Sequence, residues 1–99
     1  MNKFNELLKY SNPNSVQDNM NKYLPNTKVY MSTRKDKKYM IKNLDNKWVH
    51  YGQMGYEDFT KHRDINRRTL YWKRATNIKG NWEENLYSPN MLSIMTLWT

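Results

Sequence analysis

The sequence contains no cysteine, only three glycines and three prolines, and no long apolar run. The absence of cysteine excludes disulfide bonds, thiol catalysis and cysteine-based zinc sites. No segment approaches the ~18 apolar residues of a membrane-spanning helix, and the N-terminal segment MNKFNELLKY lacks the apolar region of a signal peptide. We therefore expect a protein that has no membrane partner and is not secreted by the signal-peptide route.

Aliphatic residues are also scarce, since Leu, Ile, Val and Phe together number 17 of 99. A highly charged chain with less than about 20% of these residues is usually disordered. Four Trp, eight Tyr and seven Met compensate, because each aromatic ring can bury about 150–250 Å². We expect a folded domain with a thin core built on rings, including Trp48, Trp72, Trp82 and Trp98.

Motifs for catalysis or cofactor binding are missing. The three isolated glycines form neither a phosphate-binding loop nor a dinucleotide fingerprint. His50 and His62 are the only imidazoles, and the cationic neighbours Lys61 and Arg63 disfavour a metal ion at His62. We predict no catalytic residue, no metal and no cofactor, and we interpret His62 as a partly buried residue that fixes its loop. A nuclease remains the weakest alternative.

The N-terminal quarter shows one helical pattern followed by breakers. Apolar residues at helical spacing predict a short helix within residues 1–10. Pro13 ends that helix, and we interpret residues 11–27 as a loose connector with at most one helical turn. The compact domain is expected to span residues 28–99.

An alternation of period two begins at residue 28. It predicts strands at about 28–33, 37–43 and 47–53, joined by short segments of turn composition. The consequence is a three-stranded antiparallel meander.

A basic helix is predicted next. Asp64 can cap the N-terminus of a helix over residues 65–76. Its inward stripe is expected to comprise Ile65, Thr69, Trp72 and either Ala75 or Thr76.

The last predicted element is an apolar helix that Ser88 and Pro89 open. A helix this apolar must be covered, and we expect Leu92 and Trp98 to dock on the sheet. The fold class is therefore α+β: a short N-terminal helix, a three-stranded meander, a basic helix and an apolar C-terminal helix.

The charge is strongly positive, with 17 Lys and Arg against nine Asp and Glu and a net charge of +8. A field of this sign favours nucleic acid, anionic lipid or an acidic protein. On the basic helix and its edge, Tyr71 offers a ring for stacking, although a core role is equally open for Tyr71 and Tyr51. The expected phosphate contacts on this helix are Arg63, Arg67, Arg68, Lys73 and Arg74. Four lysines on or beside the strands are expected to extend this phosphate-contacting surface: Lys37, Lys38, Lys42 and Lys47.

Two motifs resemble a family of small, largely uncharacterised proteins of large nucleocytoplasmic DNA viruses of the mimivirus and chlorovirus type. The run D-F-T-K-H-R-D at residues 58–64, followed by Arg67, Arg68 and Tyr71, matches one family motif. The terminal S-P-x-x-L-S…L-W, which ends at Trp98, matches the other. The resemblance covers about residues 38–98 and implies a viral origin without an established activity.

We expect five members of these motifs to be structural, and one of them is Trp98 of the terminal motif. Asp58, Thr60 and Asp64 should hydrogen bond to backbone and neighbouring side chains, with His62 between them. Ala75 stands where family members often carry His, which further disfavours a paired-His site.

These observations favour a non-catalytic viral accessory protein that binds DNA or RNA through a basic helix face. The alternative is a virion structural or protein-interaction module, whose basic face and apolar C-terminal helix dock on acidic viral proteins. Either function predicts a location in the virion or in the cytoplasm or nucleus of the infected host cell.

Overall fold

The computed structural model describes residues 2–99 and confirms the expected α+β fold class. The element order is α1 (Lys3–Tyr10), α2 (Pro13–Tyr23), β1 (Tyr30–Met31), β2 (Lys37–Lys42), β3 (Trp48–Gln53), α3 (Phe59–His62), α4 (Ile65–Thr76), a 3-10 turn (Trp82–Glu84) and α5 (Pro89–Thr96). No helix within this range is long and apolar enough to span a bilayer.

The sheet is the predicted antiparallel meander, in the order β1-β2-β3. Tyr39 lies between Met31 on one side and Tyr51 on the other. The first strand is much shorter than the predicted residues 28–33. The Val29 backbone N–H donates to Gln17 of α2 at 2.8 Å, so residue 29 is tied to a helix rather than to β2.

Two tyrosines, rather than tryptophans, are the buried rings of the main core cluster. The Tyr39 and Tyr51 rings lie 5.9 Å apart, and both side chains are buried. Their hydroxyls contact Ser11 Oγ at 2.6 Å and Thr96 Oγ1 at 3.1 Å, respectively. Burial raises the pKa of both phenols, so they stay neutral hydrogen-bonding groups at physiological pH.

The expectation that four tryptophans fill the core is wrong for Trp48, Trp72 and Trp82, whereas Trp98 packs against the core cluster. Trp48 and Trp72 are exposed, and Trp82 and Trp98 are only half-buried. Trp72 and Trp82 donate their indole N–H groups to backbone carbonyls, at 2.7 and 2.8 Å. A ring with a polar edge satisfies that edge most easily at the rim of a core, where a partner or water is within reach.

The loose connector predicted over residues 11–27 is also wrong. The Asn12 side chain caps α2, and Pro13 occupies its first turn, where a missing N–H costs nothing. Val16 and Met20, spaced i and i+4, are fully buried in the same core cluster as the sheet residues. The first 27 residues therefore contribute to the core of the compact domain.

The C-terminal helix closes the core. Ser88 caps α5 by accepting from the Met91 N–H at 3.2 Å. Leu92 and Leu97 are buried in the core cluster, and α5 packs against α2 and β3. Trp98 was expected on the sheet, but its ring stacks on Tyr71 of α4, with centroids 4.3 Å apart and planes 7° from parallel.

Candidate nucleic-acid interface

The segment from Asp58 to Asp64 orients the basic helix. Asp58 caps α3 by accepting from the Thr60 N–H at 3.0 Å. Arg63 ends α3 in a left-handed conformation, at φ 56°. Asp64 Oδ1 then accepts from the N–H groups of the first turn of α4, at 3.0 and 3.2 Å, which is the capping position expected from the sequence.

A buried chain of hydrogen bonds anchors this segment to the core. The Tyr39 hydroxyl donates to Ser11 Oγ, which contacts Thr60 Oγ1 at 3.2 Å. Thr60 Oγ1 donates to Asp58 Oδ1. The chain therefore joins β2, the α1–α2 junction and α3, and it explains why Asp58 and Thr60 are structural.

Lys38 is not a phosphate contact, contrary to the sequence prediction. The residue is 2% exposed. The Nζ atom lies 3.1 Å from Asp58 Oδ2 and donates to the Tyr56 carbonyl at 2.6 Å. Burial lowers the pKa of Lys38, and the Asp58 carboxylate acts in the opposite direction. This ammonium group belongs to the core.

Helix α4 lies on the surface, and its predicted inward stripe is wrong except at Ala75. Ile65 is 62% exposed, Thr69 and Trp72 are also exposed, and Ala75 is the one residue of the helix that is buried. The packed face instead uses Tyr71, which stacks on Trp98. Helix α4 packs against the end of a neighbouring helix and not against the sheet, so the face that it buries is narrow. For this reason the spacing of its apolar residues did not predict which side is packed.

Two of the predicted cations on α4 face one groove. Arg67, Leu70, Tyr71 and Arg74 stand at i, i+3, i+4 and i+7 and so share one side of α4. They line a groove of about 550 Å³. Its other lining residues are Lys38, Gly52, Gln53, Tyr56, Glu57, Ser93, Leu97 and Trp98.

The other helix cations point elsewhere. The guanidinium carbons of Arg68 and Arg63 lie 4.7 and 5.6 Å from the centroid of the Phe59 ring. Arg63 also donates to Ser15 Oγ at 3.1 Å. Lys73 is exposed but projects about 120° around the helix from Arg67, because successive residues are about 100° apart. Of the five cations expected to form one phosphate-contacting face, only Arg67 and Arg74 line the groove.

Of the four strand lysines, only the buried Lys38 lines this groove. Lys37 is half-buried, and Lys47 is exposed next to β3. The Lys42 Nζ atom lies over the Trp48 ring, 5.1 Å from its centroid. Lys42 and Trp48 line a separate pocket on the sheet.

Sequence reasoning placed several lining residues of the groove outside the site, among them Tyr56, Glu57 and Leu70. Leu70 had a signal, because it falls between Arg67 and Arg74 at helical spacing. Tyr56 and Glu57 lie on the loop after β3, whose path depends on tertiary structure.

The groove arginines make no ion pair within the described part of the chain. Between residues 2 and 99 only two ion pairs form: Lys38 with Asp58, and the exposed Arg34 with Asp36 at 3.7 Å. Four charged residues line the groove: Arg67, Arg74, Lys38 and Glu57. The charge of Lys38 is balanced by Asp58, and Glu57 is the single carboxylate among the lining residues. The cationic charge of α4 therefore remains available to an anionic ligand.

His62 has a defined tautomer. Its Nδ1 accepts from the Asp64 N–H at 2.9 Å, so the ring proton is on Nε2. That Nε2 is buried and has no partner among residues 2–99. Burial lowers the pKa of His62 and is the largest cause of its shift, and the positive charge of Arg67 lowers this pKa further. No group of three or more metal-ligating side chains occurs in the same range.

The lowered pKa of His62 predicts a loss of stability in mild acid. Well above pH 6.5 the ring is neutral in both folded and unfolded states. As the pH falls below that value, the unfolded state binds a proton before the folded state does, so the free energy of unfolding decreases. His62→Asn keeps an acceptor for the Asp64 N–H without a titratable group. We expect its melting temperature to fall less than that of the wild type between about pH 7.5 and pH 5.5.

His50 provides the control, because burial, with Arg34 and Lys3, also lowers its pKa. His50→Asn should retain the part of the pH dependence that His62 causes. Thermal melts of wild type and both variants measure the difference. Equal drops for wild type and His62→Asn would contradict the assignment.

Part of the chain matches a known family model. Residues 27–75 match DUF5754, a family of unknown function. The match covers the sheet, α3 and α4 up to Ala75, and it ends before the 3-10 turn and α5. No curated protein and no solved structure is significantly similar to the chain. The matched segment contains both arginines of the groove. The family description gives no activity.

Proposed function

We propose that this protein is a non-catalytic accessory protein that binds nucleic acid, with Arg67 and Arg74 contacting backbone phosphates from the groove of α4. The observation that carries the proposal is the pair of groove-lining arginines, which have no carboxylate partner within residues 2–99. Seven residues along a helix correspond to a rise of about 10 Å, so the two side chains can contact separate phosphates. The viral setting suggested by the sequence resemblance is part of this proposal.

Arginine suits this role because its planar guanidinium group binds two phosphate oxygens at once. The net charge of +8 adds an attraction that does not depend on nucleotide sequence. Tyr56 is exposed at the groove and offers a ring to a base or sugar.

The alternative partner is an acidic protein surface. The exposed side chains of Ile65 and Leu70 favour it, because phosphate contacts leave apolar side chains unused. The apolar part of α5 is not available for such a partner, since Leu92, Ile94 and Leu97 are buried within the domain.

Arginine substitutions in the groove test the proposal. Arg67→Ala and Arg74→Ala should each weaken binding to duplexes of unrelated sequence by a similar factor. Each should also reduce the slope of log affinity against log salt by about 0.9, because one phosphate fewer is neutralised. Fluorescence anisotropy titrations at several salt concentrations measure both quantities.

Two lysines serve as matched controls. Lys73→Ala removes one charge from the same helix outside the groove, and Lys9→Ala removes one from α1. Both should change affinity and slope less than Arg67→Ala does. Indistinguishable effects of Arg67→Ala and Lys9→Ala would show that net charge alone accounts for the binding and would contradict a site in the groove. Tight binding to polyglutamate without binding to either nucleic acid would favour the acidic protein partner.

A further inference from the structure

A second surface that combines rings and cations lies on the sheet. It is a pocket of about 440 Å³ that shares no lining residue with the groove of α4. Its lining residues are Asn26, Thr27, Lys28, Tyr30, Met40, Lys42 and Trp48. No acidic residue is among them, so the pocket is cationic.

The strand register fixes the two rings of this pocket. Tyr30 pairs with Met40 of β2, and Trp48 pairs with Lys42 of the same strand. The Tyr30 and Trp48 rings therefore reach across β2 and meet edge to face, with centroids 5.4 Å apart and planes at 89°. Both rings remain exposed, so this pair holds its orientation while its surface stays open to solvent.

A lysine lies over each ring. Lys28 Nζ is 5.2 Å from the centroid of Tyr30, and Lys42 Nζ is 5.1 Å from that of Trp48. Both lysines are exposed and have long flexible side chains. A base that stacks on a ring contributes more than an exposed cation–π contact does, so an incoming base can displace the ammonium group. The displaced ammonium group then lies beside the phosphate of that base.

We infer that Trp48 and Tyr30 stack on unpaired bases of a single-stranded nucleic acid, while Lys28 and Lys42 contact the adjoining phosphates. The inference deepens the proposed function and rests on it, since it names the form of nucleic acid that the protein prefers. Bases in a duplex stack on one another and leave only their edges accessible, whereas unpaired bases offer their faces to aromatic side chains. Asn26 and Thr27 supply polar groups beside the rings for the edges of a base.

An apolar peptide fits this surface less well. It would cover the rings but would leave the charges of Lys28 and Lys42 without a counterion. Charge complementarity therefore selects the nucleic acid.

The test compares oligonucleotides that differ in the presence of bases, in the sugar and in the number of strands. An oligothymidylate and an oligouridylate of about twelve nucleotides, an abasic strand with the same number of phosphates, and a duplex of that length are titrated with the protein. We expect the wild type to bind the base-bearing strands at least about tenfold more tightly than the abasic strand. Trp48→Val keeps a residue suited to a strand and should remove most of this difference, with little change in duplex affinity.

Two further variants control for folding and for the kind of side chain. Trp48→Phe retains a ring and should restore part of the affinity for the base-bearing strands. Phe4 of α1 is 47% exposed, against 44% for Trp48, but it lies outside the pocket. Phe4→Leu should leave the preference for bases unchanged. The ratio of the two pyrimidine strands shows whether DNA or RNA is preferred.

The outcomes separate this inference from the proposed function. If Trp48→Val binds the base-bearing, abasic and duplex ligands like the wild type, the stacking site is wrong, whereas loss of duplex binding in Arg67→Ala still supports the groove. If Trp48→Val and Phe4→Leu weaken all ligands equally, the effect is not stacking and the inference is overturned. If the wild type binds none of these ligands, the proposed function fails and the inference fails with it.

Discussion

Removal of residues 91–99 is expected to abolish the cooperative unfolding transition of this protein. The deletion takes away Leu92 and Leu97, which are fully buried against α2 and the sheet. Truncating one such leucine costs about 2–5 kcal/mol, and a small domain has only about 5–15 kcal/mol in total. Circular dichroism during thermal melting measures the outcome. A shortened chain that still melts cooperatively would show that α5 is dispensable for the core.

Single leucine substitutions separate the loss of packing from the loss of chain length. Leu97→Ala should lower the free energy of unfolding by about 2–5 kcal/mol. Leu44 lies in the turn between β2 and β3 and is 87% exposed, so Leu44→Ala removes the same atoms from solvent-facing surface. Its effect should stay within about 0.5 kcal/mol. Similar effects at the two positions would contradict the buried location of Leu97.

Asp58→Asn is expected to be the most destabilising isosteric substitution in the segment from Asp58 to Asp64. The amide still accepts the Thr60 N–H, but the Lys38 ammonium group loses its carboxylate in the core. Breaking a buried ion pair by removing one partner costs about 3–5 kcal/mol. For a domain of this size, the melting temperature should fall by at least about 12 °C.

Three comparisons define the cause. Asp36→Asn breaks the exposed pair with Arg34 and should cost less than about 1 kcal/mol. The double variant Lys38→Met/Asp58→Asn removes both charges and should regain much of the lost stability. The single variant Asp58→Asn should become more stable as the pH rises towards the unfolded pKa of lysine, since the folded state releases the Lys38 proton first. An equal loss in the single and double variants would place the cost outside the ion pair.

The sequence was sufficient for the elements whose signals are local. The meander follows from period-two alternation, and Asp64 and Ser88 mark helix starts because capping depends on neighbouring backbone groups. Pro13 was misinterpreted because the same residue can follow one helix and begin the next, and only the burial of Val16 and Met20 distinguishes the two cases.

The candidate site was less accessible from sequence, for a physical reason. Which face of α4 is packed depends on Trp98 and Tyr71, which are 27 positions apart and meet only in the folded chain. Lys38 shows the same limit: its residue type suggests a surface cation, but Asp58 on a distant segment makes its burial tolerable. Arg67 and Arg74 remain on the accessible side because helical spacing relates them directly to each other.

The packing of α2 against α5 has a consequence for the order in which the chain acquires its native structure. The Asn19 side chain donates to the Thr96 carbonyl, a contact between residues 77 positions apart. The Ser11 and Thr60 hydroxyls meet across 49 positions. Contacts of such long sequence separation require large loops to close before any energy is gained, which slows folding. During synthesis, therefore, Val16 and Met20 of α2 stay uncovered until α5 has left the ribosome, and we expect this domain to become resistant to proteolysis only after that point.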